Sequence, residues 1–335
     1  MRNLPSIIVE VTRGPHVESR HAVSAVIAGS DGRVIRNYGD ADMQVFPRSA
    51  IKALQALPLV ESGAADAFGL EGGHIALACA SHNGEPMHVE GSAQILAAAG
   101  LQPVCLECGA QPPALEADRD RLAVQGKVPE SIHNNCSGKH AGFLCFAAHT
   151  GMKPQGYSRF GHPVQKEVAG VLESITGAPH REDNHGIDGC SIPTYAIPLE
   201  RLAAGFAKFA LADDASQTRA QAMQRIMSAC LDNPEMVAGT GRFDTGFMKA
   251  LKGRAFTKTG AEGVFVAALP ELGIGVALKA RDGATRAAEV AVAALIESLL
   301  EPNESDPKLL KGFTEPVLKN WNGTEVGRVS AVLPR

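Results

Sequence analysis

Three short strings in this chain carry residue types that can do nucleophilic chemistry. The first is Ser49-Ala50-Ile51-Lys52, where a serine and a lysine stand three apart at an expected helix start. Residues three apart share a helix face, so the lysine amine can reach Ser49 Oγ. A serine hydroxyl activated by an adjacent amine is a nucleophile for acyl transfer. A helix start also gathers unpaired backbone N–H groups, which suit a developing oxyanion. Standing alone, the pair would describe an ordinary solvated helix. The second string is Ser81-His82-Asn83, after the apolar run Ile75 to Ala80, and the third is Lys258-Thr259-Gly260, followed by Ala261.

The elements that must position these strings follow from periodicity. Ile7 to Val11 and Ala22 to Ile27 read as strands, and Ser30-Asp31-Gly32 turns the chain back into Arg33 to Ile35. After Pro47 the period becomes helical, with Ile51, Leu54 and Leu57 on one face and Pro58 closing the run. From Leu59 to about Leu231 the text is mostly helix, clearest over His162 to Thr176 and Ser216 to Leu231. Strand spacing returns at Phe256 to Lys258, Val264 to Ala268 and Ile274 to Lys279, before a long helix from Thr285 to Leu300. The expected fold class is therefore α/β. An antiparallel sheet draws on both chain ends, about residues 1–47 and 250–335, and a mainly helical lobe of about 48–249 is inserted within a single functional unit.

Composition bounds the rest. With 335 residues, 45% hydrophobic and 20% charged, the chain has the make-up of a soluble globular protein with a large core. Thirty-two Lys and Arg against 36 Asp and Glu give a charge of −4, which excludes a strongly basic nucleic-acid binder. Nowhere do about 18 apolar residues run together, so no membrane span is expected. Seven cysteines make an odd set with no framework, and the start lacks a secretory pattern; both point to reduced thiols and a cytoplasmic protein.

Taken in order, the three strings resemble the S-x-x-K, S-D-N and K-T-G set of serine β-lactamases and penicillin-binding proteins, with His82 in place of the Asp. Longer segments resemble the rhizobial-type (class 3) L-asparaginase II family more closely. They are residues 47–52 (PRSAIK), 79–85 (CASHNGE), 135–142 (NCSGKHAG), 188–194 (DGCSIPT) and 279–283 (KARDG). The resemblance implies a β-lactamase-like fold, hydrolysis of L-asparagine to aspartate and ammonia, and a homodimer. It also implies two Ser–Lys pairs, Ser49 with Lys52 and Ser81 with Lys258. A lysine must shed its proton to act as a base, and burial or a second ammonium nearby promotes that. Lys258 is the candidate second charge and Ser81 the candidate proton relay.

Asparagine presents a carboxylate, an ammonium and an amide, and each needs a partner. Arg48, beside the nucleophile, suits the carboxylate through a bidentate guanidinium, and His140 can donate to it as well. Asp188 and Glu85 are candidates for the ammonium, and Asn83 and Ala261 complete the candidate substrate-binding set. The family resemblance further implies a supporting zinc on Cys136, Lys139 and Cys190. Cys105-Leu106-Glu107-Cys108 has metal-like spacing without a second ligand pair, and reads as two ordinary thiols. Two other readings stand beside the asparaginase: a β-lactamase or D-alanyl peptidase-like hydrolase, and a non-catalytic zinc- or redox-sensing binding protein.

Overall fold

The computed structural model describes residues 3–300 and 307–334. By contact density the chain divides into two compact units, Met1–Ala50 with Ile197–Leu211 and Gly246–Arg335, and Ile51–Ala196 with Ala212–Thr245.

The first unit is built on a nine-stranded sheet. Its main path runs Val317–Lys319, Glu325–Val332, Ile7–Arg13, His16–Gly29, Ile274–Ala280, Val264–Leu269, Phe256–Thr259, every neighbour antiparallel. Val34–Tyr38 pairs with the far part of His16–Gly29, and Asn3–Leu4 lies parallel to it. Both chain ends thus meet in one sheet, as the strand spacing implies. Every residue of Val264–Leu269 is buried, so both faces of the sheet centre are covered and the strand reads as an unbroken apolar run. The helices Leu199–Leu211 and Thr285–Leu299 pack on these central strands. The first of them differs from the sequence-based division, which placed residues 199–211 in the helical lobe. Its apolar stripe is satisfied by strands more than fifty residues away, a pairing that local periodicity does not encode.

The second unit is mainly helical and is organised around Ser137–Thr150, buried from Ser137 through Ala147. A helix buried all round needs small residues where others cross it. A Cβ added to Gly138 would lie 2.4 Å from Leu77 O, at the crossing with the helix Gly72–Ala78. Expected helices at 162–176 and 216–231 are present as Pro163–Thr176 and Gln217–Asp232. One segment expected among helices is instead a hairpin, His185–Ile187 paired with Pro193–Tyr195. Its loop carries Asp188 and Cys190, closed by Ser191 N donating to Asp188 O and Asp188 N to Ile192 O, both at 2.8 Å.

Candidate active site

In the first unit, the chain enters the Ser49 segment as a 3₁₀ turn, Arg48–Ile51, which leads into the four-residue helix Lys52–Gln55. Ser49 is therefore inside a tight turn, not at the N-terminus of a long α-helix. Arg48 has φ +51°, in the left-handed region, an arrangement an L-residue holds only at a cost. Arg48 and Ser49 remain half-exposed while Pro47 and Ala50 on either side are buried. The turn is backed by the Lys-Thr-Gly segment. A Cβ at Gly260 would meet Pro47 O at 2.6 Å and Ala50 Cβ at 3.2 Å, so only glycine lets the strand end come this close. Lys258 is fully buried in the strand Phe256–Thr259, and its Nζ donates to Thr259 O at 3.1 Å. Ala261 is half-exposed in the loop that follows.

In the second unit a buried polar cluster forms around Lys52. Its Nζ donates to Ala80 O at 2.6 Å, Ser81 Oγ at 2.8 Å and Cys136 Sγ at 3.1 Å. Lys52 and Ser81 thus belong to one hydrogen-bonded group, though they come from different strings. Lys139 Nζ lies 3.0 Å from Cys190 Sγ, and Cys190 Sγ approaches Asp188 Oδ2 at 3.7 Å. The Cys136 thiol is held well below the ordinary thiol range. Cys190 donates a hydrogen bond to it, and the charges of Lys52 and Lys139 add to that effect against opposing burial. Cys190, as the donor, is pushed upward, and its burial acts the same way. Burial would lower Lys139, but Cys190, Cys136 and Asp188 beside it outweigh that and raise its pKa. His140 is held well below its usual value by burial, with Lys139 and Lys52 adding to it, so the imidazole is neutral.

These residues also answer whether zinc would fit. Among the described residues no three His, Cys, Asp or Glu gather as a metal site, so a lysine must be the third ligand. Two thiols and one amine lie together here; zinc takes thiolates readily, and a lysine amine is a rare ligand beside them. The Lys139–Cys190 contact of 3.0 Å already brings the amine and one thiol together. Metal binding would have to displace the Lys139 proton.

The Ser81-His82-Asn83 loop is fixed by contacts that the sequence does not announce. His82 takes the place of an aspartate, but it is buried and stacked on His88 with ring centroids 4.7 Å apart. Its Nδ1 accepts from Gly84 N, leaving Nε2–H to donate to Ser137 Oγ at 3.1 Å. Asn83 Nδ2 donates to Glu85 Oε1 and Thr240 O, and Asn83 Oδ1 accepts from Arg242 at 3.3 Å. Both Glu85 oxygens are engaged, Oε1 also by Thr240 N at 2.8 Å and Oε2 by Thr240 Oγ1 at 2.7 Å. Burial would raise the Glu85 carboxyl, yet these donors outweigh it and lower its pKa. Arg242, absent from the sequence-based candidates, also donates to Ser81 O at 3.4 Å. No short motif surrounds Arg242 or Thr240, so only the tertiary contact reveals them.

Residues 9–331 match the family model described as L-asparaginase II. The chain belongs to the L-asparaginase II family. No curated protein matches it. Among solved structures it is similar to Mglu in its native form, crystallised in 4.3 M NaCl, at 15% identity and a TM-score of 0.46. That match covers 84% of this chain and only 63% of the Mglu chain. It is also similar to a β-lactamase from Mycobacterium bovis at 14% identity and a TM-score of 0.41, covering 83% of this chain and 95% of that one. A third similar structure is the octameric penicillin-binding protein homologue from Pyrococcus abyssi, at 13% identity and a TM-score of 0.30, covering 90% and 80%. Scores this low carry no argument about the L-asparaginase II chain. No helix among its described residues is long and apolar enough to cross a membrane.

Proposed function

We propose that this protein hydrolyses L-asparagine to L-aspartate and ammonia through a covalent ester on Ser49. The observation that carries the reading is the L-asparaginase II match over residues 9–331. The 2.8 Å contact between Lys52 Nζ and Ser81 Oγ supports the lysine–serine chemistry.

In this reading Ser49 Oγ attacks the side-chain amide carbon, and Lys52 takes the hydroxyl proton, directly or through Ser81. The resulting oxyanion collapses, breaking the C–N bond as a proton reaches the leaving nitrogen, and ammonia departs. Water then attacks the β-aspartyl ester, its proton passing to the same amine, and Ser49 is restored with aspartate. Lys258, buried in its strand, is the lysine of the second Ser–Lys pair that the family resemblance implies. The strained Arg48 backbone is a cost of the kind that collects at catalytic turns.

Recognition divides among charges of complementary sign. Arg48 holds the substrate carboxylate with His140 as a neutral donor beside it. Asp188, half-exposed at its hairpin tip, takes the ammonium, because Glu85 already has three protein donors. Zinc on Cys136, Lys139 and Cys190 would supply a rigid, charge-compensating tie between the hairpin loop and the helix start, and Ser49 remains the nucleophile. A homodimer is the assembly the family resemblance supports.

A coupled ammonia assay with asparagine, glutamine and a chromogenic β-lactam tests this reading. Release from asparagine, roughly 10–200-fold better than from the one-methylene-longer glutamine, is expected. Turnover of the β-lactam alone, or of none of the three, would overturn it.

A further inference from the structure

The Cys105-Leu106-Glu107-Cys108 segment has a role, and it does not run through its thiols. Cys108 Sγ donates to Ser131 O at 3.3 Å, and burial pushes its pKa up to about 12. Glu107 is the working residue. Its carboxylate accepts from Gly156 N at 2.6 Å, Ser158 N at 3.2 Å and Ser158 Oγ at 2.6 Å, which pins the chain on both sides of Tyr157. Its own backbone N–H donates to Tyr157 Oη at 2.9 Å. Tyr157 is fully buried, and its Oη lies 2.7 Å from His140 Nδ1.

This chain of contacts decides where the His140 proton sits. If the Tyr157 O–H donates to Nδ1, the hydroxyl is satisfied as donor and acceptor, and the ring carries its proton on Nε2. If Nδ1–H donated instead, the Tyr157 O–H would be left buried with no acceptor. The first arrangement strands fewer polar groups and is the one a buried site adopts. Nε2 is itself buried and has no hydrogen-bond partner among the described residues. A buried N–H with no acceptor among the described residues calls for an oxygen acceptor from outside the chain.

We propose that Tyr157, held by Glu107, is a positioning residue that keeps His140 as the neutral Nε2–H tautomer so that this N–H is offered to the carboxylate of a bound amino-acid substrate. The proposal rests on the asparaginase reading for the identity of that substrate. The tautomer it assigns does not depend on it.

The test compares wild-type protein with Tyr157→Phe, which keeps the ring and removes only the hydroxyl. Nitrogen-15 NMR of histidine-labelled protein, with His140→Gln to assign the signal, reports which ring nitrogen carries the proton. A single Nε2–H form in wild type, giving way to mixed tautomers in Tyr157→Phe, is expected. The variant should also raise KM for asparagine about tenfold with kcat changed by less than about twofold, the signature of lost uniform binding. An Nδ1–H ring in wild type overturns the proposal, even if the variant fails to fold. So does a Tyr157→Phe protein with an unchanged ring signal, or one that loses kcat while KM stays constant. Should wild-type protein release no ammonia from asparagine, the activity reading falls, while a fixed Nε2–H lost in Tyr157→Phe would still uphold the tautomer assignment.

Discussion

Lys52 Nζ lies 3.1 Å from Cys136 Sγ, so the proposed catalytic lysine and a proposed metal ligand are direct hydrogen-bond partners. The contact links the two halves of the buried cluster, because Cys136 also receives the Cys190 hydrogen bond and the field of Lys139. Cys136→Ser replaces a soft sulfur with a hydroxyl that binds zinc poorly. The variant should lose bound zinc, measured by elemental mass spectrometry. It should also unfold at lower denaturant, by about 1–3 kcal/mol for a weakened buried charged pair. Chelation of the wild type should mimic the stability loss more than it lowers kcat. A chelated enzyme with no turnover, restored by zinc alone, would make the metal catalytic.

Arg242 gives a second expectation. Its guanidinium ties Ser81 O and Asn83 Oδ1 together, with Glu85 and Thr240 completing the loop. Hydrogen bonds to a charged group contribute about 1.5–3 kcal/mol each where buried, and these are longer and only part-buried. Arg242→Gln should therefore lower kcat/KM for asparagine roughly tenfold while leaving the melting temperature within a few degrees. Steady-state kinetics beside a thermal melt separate this from general unfolding.

The buried helix crossing supplies a third. A methyl group at Gly138 would sit 2.4 Å from Leu77 O and 2.5 Å from Leu77 Cγ, and the backbone atom cannot give way. Gly138→Ala should cost at least about 1–3 kcal/mol in urea unfolding, the range for overpacked cores. A variant as stable as wild type would mean that the crossing is looser than described.

Stability should also fall with pH on the acid side, through buried histidines. His88 and His180 are both lowered, chiefly by burial, and so remain neutral in the fold. Below the ordinary histidine pKa of about 6.5 the unfolded chain takes up protons that the folded chain refuses. The unfolded state then binds more protons, so stability rises with pH through that window and is lost as pH falls from about 7 toward the depressed folded values. His88 accepts from Glu85 N on Nδ1, which protonation would break. Urea midpoints at pH 7.5 and 5.5 should differ, and His88→Gln should reduce the difference.

Much of this arrangement was legible before any coordinates. Ser49, Lys52, Ser81 and Lys258 stand in strings whose order is informative; the strand 7–13 alternates, and 256–259, 264–269 and 274–280 read as short β runs punctuated by glycines. The hydrogen-bond partners were not legible. Lys52 reaches Ser81, twenty-nine residues on, and Cys136, eighty-four on, because a buried helix start and a loop after another helix converge. Glu85 reads as an open carboxylate in sequence, and Thr240, 155 residues away, occupies it. Leu199–Leu211 has an ordinary amphipathic pattern that does not say which unit its apolar face will join. Motifs report local chemistry, and tertiary contacts decide which groups stay available.

The covalent step through Ser49 is tested most directly by mass spectrometry of protein quenched in acid during turnover of asparagine, followed by proteolysis. The mechanism requires a β-aspartyl ester on the peptide bearing Ser49, absent in Ser49→Ala, which should also release no measurable ammonia. An adduct on the Ser81 peptide, or Ser49→Ala activity within about tenfold of wild type, a barrier change of only about 1.4 kcal/mol, would contradict it.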